Sequence, residues 1–238
     1  MPANASGNKA EGEEKGGQTL RITSPAEKSS SFPAAVIVAH PDDETLWAGG
    51  TILTHPDRGW FIAALSRRSD RDRAPKFLRV LDSYNAAGAM GDLEDGPEQT
   101  PMETETIQQE IVRLLPATSF EMVFTHAPRG EYTRHRRHEE VSRAVIGLWA
   151  RGRLRIGRLY LFAYQDNGGS QLPGAIESAP QRQVLPKDIW NEKHRLMTDV
   201  YGFQPESWEA RTTPRAEAFW TFEAPADCLR WLRETEER

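Results

Sequence analysis

Two short stretches hold the residue types that do chemistry. His40-Pro41-Asp42-Asp43-Glu44 puts a histidine beside three consecutive carboxylates. Adjacent acids repel one another and need a reason. Helix capping is one, because a carboxylate at a helix N-terminus satisfies free amides and suits the dipole. It accounts for one or two of the acids and leaves His40 unexplained. A divalent cation is the other, with His40 and Asp43 as ligands on a turn stiffened by Pro41. An imidazole nitrogen with a carboxylate oxygen suits zinc and similar metals. The second stretch runs from Thr125-His126 to His135-Arg136-Arg137-His138. His-x-x-His offers a ligand pair, or one ligand and one acid/base group. The competing reading is a solvated basic surface, since Arg129, Arg134, Arg136 and Arg137 share the segment. His126 is left undecided; His55 and His194 read as surface histidines.

The elements that must position these residues follow from the apolar pattern. Continuous apolar runs at 33–39, 60–65, 120–125 and 156–163 read as strands buried on both faces. Helical spacing predicts helices over 45–53, 75–89, 103–115, 138–149 and 187–200, with a short strand at 90–93. Alternating strands and helices imply right-handed βαβ units and a Rossmann-like, mainly parallel sheet flanked by helices in a single α/β domain. In such sheets ligands bind outside the carboxyl ends of the strands, which is where both stretches fall. Three of the six histidines and an acidic triplet converging there make two histidines, one carboxylate and an open position for water, the pattern of a catalytic zinc site. Beyond residue 165 the pattern decays into an excursion rich in Gly and Pro, followed by a C-terminal helix and strand. Trp190, Phe203, Trp208, Phe219, Trp220 and Trp231 crowd this last third and read as core or sheet cover.

Composition narrows the class. The chain has 238 residues and a formal net charge of −5, which argues against a nucleic-acid or polybasic membrane binder. Of the 30 basic residues 24 are Arg and 6 Lys, the bias of an Arg-rich genome more than of a binding surface. One cysteine, Cys228, excludes a disulfide framework and a Cys-rich zinc cluster. No apolar stretch reaches the length of a membrane span, and the first thirty residues lack a signal-peptide core. The expectation is a cytoplasmic protein with a disordered tail over 1–32 and one domain over 33–238; a homo-oligomer is left open.

Ala39-His40-Pro41-Asp42-Asp43-Glu44, the Gly49-Gly50 helix after it and the distal Gly130-Glu131-Tyr132…His135-x-x-His138 resemble the PIG-L/LmbE family of metal-dependent N-deacetylases. The resemblance spans residues 33–165. It implies a Rossmann-like fold and hydrolysis of the acetyl or another acyl group from an N-acetylglucosamine-type sugar or glycoconjugate. It implies Zn2+ as cofactor, with Fe2+, Mn2+ or Co2+ as alternatives, held by His40, Asp43 and His138. Asp42 would be the general base, and His135 the histidine that stabilises the oxyanion or protonates the leaving amine. Glu44 would hold the loop. Tyr132, Arg67, Arg68, Arg73 and His126 are candidate substrate contacts. The family often has Pro-Asp between the two distal histidines, where this chain has Arg136-Arg137; an arginine there works against a protonated His135. A compensating carboxylate is therefore expected from Glu131, Glu139 or Asp166. Arg67, Arg68, Arg71, Arg73, Arg136 and Arg137 would favour an anionic substrate if they ring the pocket, and are ordinary surface if they do not. The other readings are an amidase of thiol–sugar conjugates, a deacylase of secondary metabolites, and a non-catalytic, metal-bearing carbohydrate-binding protein. Asp42 argues against the last, because binding needs no base. A nucleotide-binding Rossmann protein is disfavoured, since no Gly-x-Gly-x-x-Gly follows the first strand.

Overall fold

The computed structural model describes residues 21–22, 32–132 and 134–236. The first buried run forms β2 (Ala34–Val38), the second β3 (Trp60–Ser66); they flank α1 (Asp43–Leu53) in sequence. Then come α2 (Arg73–Tyr84), β4 (Ala87–Leu93), α3 (Thr104–Leu114), β5 (Ser119–Thr125), α4 (Arg136–Ala150) and β6 (Arg155–Phe162). These five strands are parallel, in the order β4-β3-β2-β5-β6. The chain moves outward from β2 to β4, then crosses over to β5 and β6. The order therefore reverses between β2 and β5, the place where doubly wound sheets open a crevice at their carboxyl ends.

Even positions of β2 (Ala34, Val36, Val38) pack with α1 and α2 on one face; odd positions (Ala35, Ile37) pack with α3 and α4 on the other. All five residues of β2 are 0% exposed, which is why it reads as an uninterrupted apolar run. The mainly parallel, Rossmann-like α/β sheet expected from the pattern is the one found.

The edges differ from expectation. Arg21–Ile22, within the expected tail, forms a short strand β1 antiparallel to β4; the rest of that segment, 1–20 and 23–31, lies outside the described residues. The helix expected over 75–89 stops at Tyr84, where Asn85 takes a left-handed conformation (φ 50°) and ends it. Ala87 to Leu93 then joins the sheet, although Ala-rich sequence favours a helix. Gly88 shows why: a Cβ there would sit 2.6 Å from the Ile62 carbonyl oxygen. Beyond β6, Tyr164–Gln165 (β7) and Gly174–Ala175 (β8) make a two-stranded ribbon, and Gln181–Val184 (β9) joins the main sheet. Helix α5 (Lys187–Arg195) passes into a π-helical turn at Leu196–Val200. A short α6 (Trp208–Thr212) precedes β10 (Ala216–Phe222), which runs antiparallel to both β6 and β9. The strand is followed by a further helix, α7 (Pro225–Glu236). Among the described residues no helix is long and apolar enough to cross a membrane.

Candidate active site

The acidic stretch sits on the turn from β2 into α1. Asp42 precedes the helix but does not cap it: no side-chain cap bond forms, and its backbone lies at φ 127°, ψ −30°. A non-glycine residue there is strained, and such strain concentrates at functional sites. Glu44 holds the turn, as expected, by accepting the Asp42 amide at 2.9 Å; it is itself bound by Thr45 and Tyr201. Asp43 points inward, 5% exposed. The second stretch hangs from the end of β5 and the start of α4, with His135 as the extended residue before the helix.

Three of the predicted residues meet. Asp43 Oδ2 lies 3.0 Å from His40 Nδ1 and 3.3 Å from His138 Nε2, and those two nitrogens are 3.2 Å apart. Each imidazole lies between two carboxylates, so either a proton or a metal ion can occupy the nitrogen that faces Asp43. His40 Nε2 donates to Asp95 Oδ1 at 2.9 Å, and His138 Nδ1 donates to Glu131 Oε2 at 2.7 Å. His40 Nδ1, His138 Nε2 and Asp43 Oδ2 face one another, and with the imidazole protons on the outer nitrogens their lone pairs converge on one point. Such a triangle needs a positive charge among its members. Ligand atoms about 2.1 Å from a tetrahedral metal would be about 3.4 Å apart, close to these separations. The donor set fits a divalent cation, and the two carboxylates behind the imidazoles are the outer partners that metal-binding histidines use. His40, His135 and His138 group within 4.8 Å of one another, as do Asp43, His126 and His138. A buried His/Asp group able to hold a metal is therefore present.

With no ion bound, the same donors favour protons on the imidazoles. Burial lowers the His40 pKa, but hydrogen bonding and charge from Asp43, with Asp95, raise it to about 9. Burial opposes ionisation of Asp43 as well, yet the charge of His138, the largest opposing influence, holds it well below the ordinary carboxylate range. Burial, then the neighbouring Asp43 charge, raises Asp42 to about 7, against the pull of Arg73.

His126 is neither a surface residue nor open to the pocket. It is 0% exposed and stacked on His138 with ring centroids 3.9 Å apart. Its Nε2 accepts the Ala39 amide at 3.0 Å, so Nδ1 carries the proton given to Glu131 at 3.0 Å. It braces β5 against β2 beneath the triangle.

His135 lies over His40 and His138, at centroid distances of 4.7 and 4.3 Å. Its Nδ1 is buried without a hydrogen-bond partner. Burial, then the neighbouring His138 and His40, press its pKa down to about 3, so it is neutral. The three carboxylates expected to compensate it are engaged elsewhere. Glu131 serves His126 and His138, and Glu139 lies against Arg134 and Arg143; Asp166 accepts the Gly168 amide. Arg137 turns away from the site. Its side chain is 1% exposed and its guanidinium donates to Glu140, Glu94 and the Thr100 carbonyl.

Over the triangle opens a pocket of about 190 Å³. His40, Asp42, Asp43, His135 and Tyr132 line it, with Arg67 and Arg73. Both arginines are already paired: Arg67 with Asp95 at 2.8 Å and Arg73 with Asp42 at 2.8 Å. Arg68 lies outside the lining, with its guanidinium 3.9 Å from Asp92. Tyr132 stands edge-on to His138 and His135. A larger cavity, about 870 Å³, shares only Tyr132 with this pocket.

Sequence reasoning missed Asp95 and misread Trp208. Asp95 follows β4, 55 positions from His40, with no motif around it. Trp208, expected in core or sheet cover, is 36% exposed at the pocket. It opens a helix too short to show a face by periodicity.

No protein-family model matches the sequence, and no curated protein does. Solved structures of similar fold do exist. A conserved protein of Thermus thermophilus is 19% identical, with 80% of this chain and 94% of that one covered at a TM-score of 0.55. The 4-carboxy-2-hydroxymuconate hydratase GalB of Pseudomonas putida is 16% identical over 79% and 95%, at 0.54. The N,N'-diacetylchitobiose deacetylase of Pyrococcus horikoshii, solved with an inhibitor, is 14% identical over 84% and 89%, at 0.55. At these identities the likeness is one of fold, and it is the fold that the resemblance of the motifs implies.

Proposed function

We propose that the protein is a divalent-metal-dependent hydrolase, zinc being the first candidate metal, that removes the acetyl group from the amide nitrogen of an N-acetylated amino sugar or glycoconjugate. The observation that carries this reading is the close triangle of donor atoms from His40, Asp43 and His138 beneath a pocket lined by a further carboxylate, Asp42, on strained backbone. A binding site needs the ligands but not that carboxylate.

When bound, the metal supplies Lewis acidity that polarises a carbonyl and brings the pKa of water to about 7. The rest is done by side chains. Asp42, positioned by Arg73, takes the proton of the attacking water as the new C–O bond forms. His135, kept neutral by burial, offers its ring N–H to the developing oxyanion. As the C–N bond breaks, the proton held by Asp42 goes to the leaving nitrogen, and acetate and a free amine result. Asp95 and Glu131 keep His40 and His138 turned to the centre.

The same fold carries a hydratase, so the reaction must be tested and not taken from the fold. Elemental analysis and acetate release from N-acetylglucosamine conjugates, for wild type and Asp42→Ala, test it together. Stoichiometric metal in both proteins, with acetate from wild type alone, is the expected result. Metal without acetate from any donor would overturn the deacetylase reading.

A further inference from the structure

The pocket mouth carries a pair of residues that the reaction does not use. Trp208 is 36% exposed, and Val184 is the other large hydrophobic residue found exposed among the described residues. A single exposed apolar side chain is ordinary on a protein surface; what marks the Trp208 indole is its place at this pocket and the way it is held. It is not loosely placed. Ser207 caps α6 through its Oγ, which accepts the Ala210 amide at 3.2 Å. Tyr132 braces the indole edge-on at a centroid distance of 4.7 Å, and Tyr132 in turn rests against His138 and His135. Beside Trp208, Glu209 also lines the pocket.

The charge of the lining restricts what can cover this indole. Four acids line the pocket, Asp42, Asp43, Asp95 and Glu209, against two arginines, Arg67 and Arg73. Both arginines of this lining are already bound by acids, and Glu209 beside Trp208 sets a negative charge at the rim, separate from the positive charge a metal would bring to His40 and Asp43. A flat apolar surface beside a two-oxygen acceptor suits a ring with C–H bonds on one face and adjacent hydroxyls at its edge. We infer that Trp208 and Glu209 form a recognition rim for an uncharged pyranose ring, Trp208 stacking on its apolar face and Glu209 accepting from neighbouring hydroxyls. This rests on the deacetylase reading for the pocket's chemistry and narrows its substrate to a neutral sugar over an anionic one.

The test compares wild type, Trp208→Leu, Trp208→Phe and Glu209→Gln on three donors: an uncharged N-acetylglucosamine glycoside, its 6-phosphate, and an acyclic N-acetyl amine. Trp208→Leu is expected to raise KM for the neutral glycoside about tenfold, or about 1.4 kcal/mol, with kcat within about threefold. Trp208→Phe should recover most of the loss, Glu209→Gln should raise KM in the same direction, and the acyclic donor should not respond to Trp208. Equal losses on cyclic and acyclic donors, an unchanged KM, or a preference for the 6-phosphate would overturn the rim. Calorimetric binding of the neutral glycoside separates the two claims. Binding lost in Trp208→Leu, from a wild type that releases no acetate, keeps the rim and removes the deacetylase. Turnover indifferent to Trp208 does the reverse. Absence of both binding and turnover in wild type overturns both.

Discussion

At Asp42 one residue combines a backbone conflict with the proposed role of general base. Its φ of 127° belongs to glycine's range, yet the proposed reaction needs its side chain. Asp42→Gly should therefore be about 1–2 kcal/mol more stable than Asp42→Ala in urea unfolding, because only glycine relieves the strain. Both should bind metal and both should lose about 10²–10⁴ in kcat. The imidazole supports predict a different failure. Asp95→Ala leaves His40 without the partner that turns its Nδ1 inward. Metal affinity, measured by chelator competition, should fall about 10–100-fold. Cys228 shows burial acting alone: it is 0% exposed, and desolvation pushes the thiol up to about 12. At pH 8 on the order of one thiol in ten thousand is thiolate. Alkylation of the native protein should be undetectable over hours and become rapid on unfolding.

At the scale of elements, the site depends on how α1 is held. Glu217 on β10 reaches into α1, where its carboxylate accepts the Gly50 and Thr51 amides at 2.7 Å each and the Thr51 hydroxyl at 2.6 Å. Lys193 of α5 completes the cluster at 2.8 Å, with both side chains 0% exposed. Burial lowers the Lys193 pKa while Glu217 opposes that shift. Removing one partner leaves a buried charge uncompensated, so Lys193→Met should cost about 3–5 kcal/mol in denaturant unfolding. The Lys193→Met, Glu217→Gln double variant should recover part of that loss. The pair joins α1, α5 and β10, elements from both ends of the chain, and so fixes the helix that starts at Asp43. No spacing rule connects residues 50, 193 and 217.

Over the whole molecule, the crossover between β2 and β5 brings two stretches some 95 positions apart into a single crevice. The atoms proposed to hold the metal come from the turn between β2 and α1, from the first residue of α1 and from α4, so a bound ion would tie the two halves of the sheet together. Binding to the folded state alone stabilises by about 2.7 kcal/mol at a hundredfold excess over Kd. EDTA should therefore lower the melting temperature of the loaded protein by several degrees, and should leave that of Asp43→Ala unchanged.

The sequence by itself determined the fold class, because a strand buried on both faces must be an unbroken apolar run and a covering helix must show a 3.6-residue period. It also determined the acidic turn and the His-x-x-His pair, where function demands residue types that a core would reject. Only the tertiary structure decided what long-range pairing controls. It gave Asp95 to His40 and left Glu131 to two histidines at once. It tied up Arg67 and Arg73, turned Arg137 away, put His126 beneath the site, and bared Trp208 at its mouth. Local pattern encodes burial and periodicity; it does not encode which distant charge will neutralise which, nor which aromatic side chain the packing leaves uncovered.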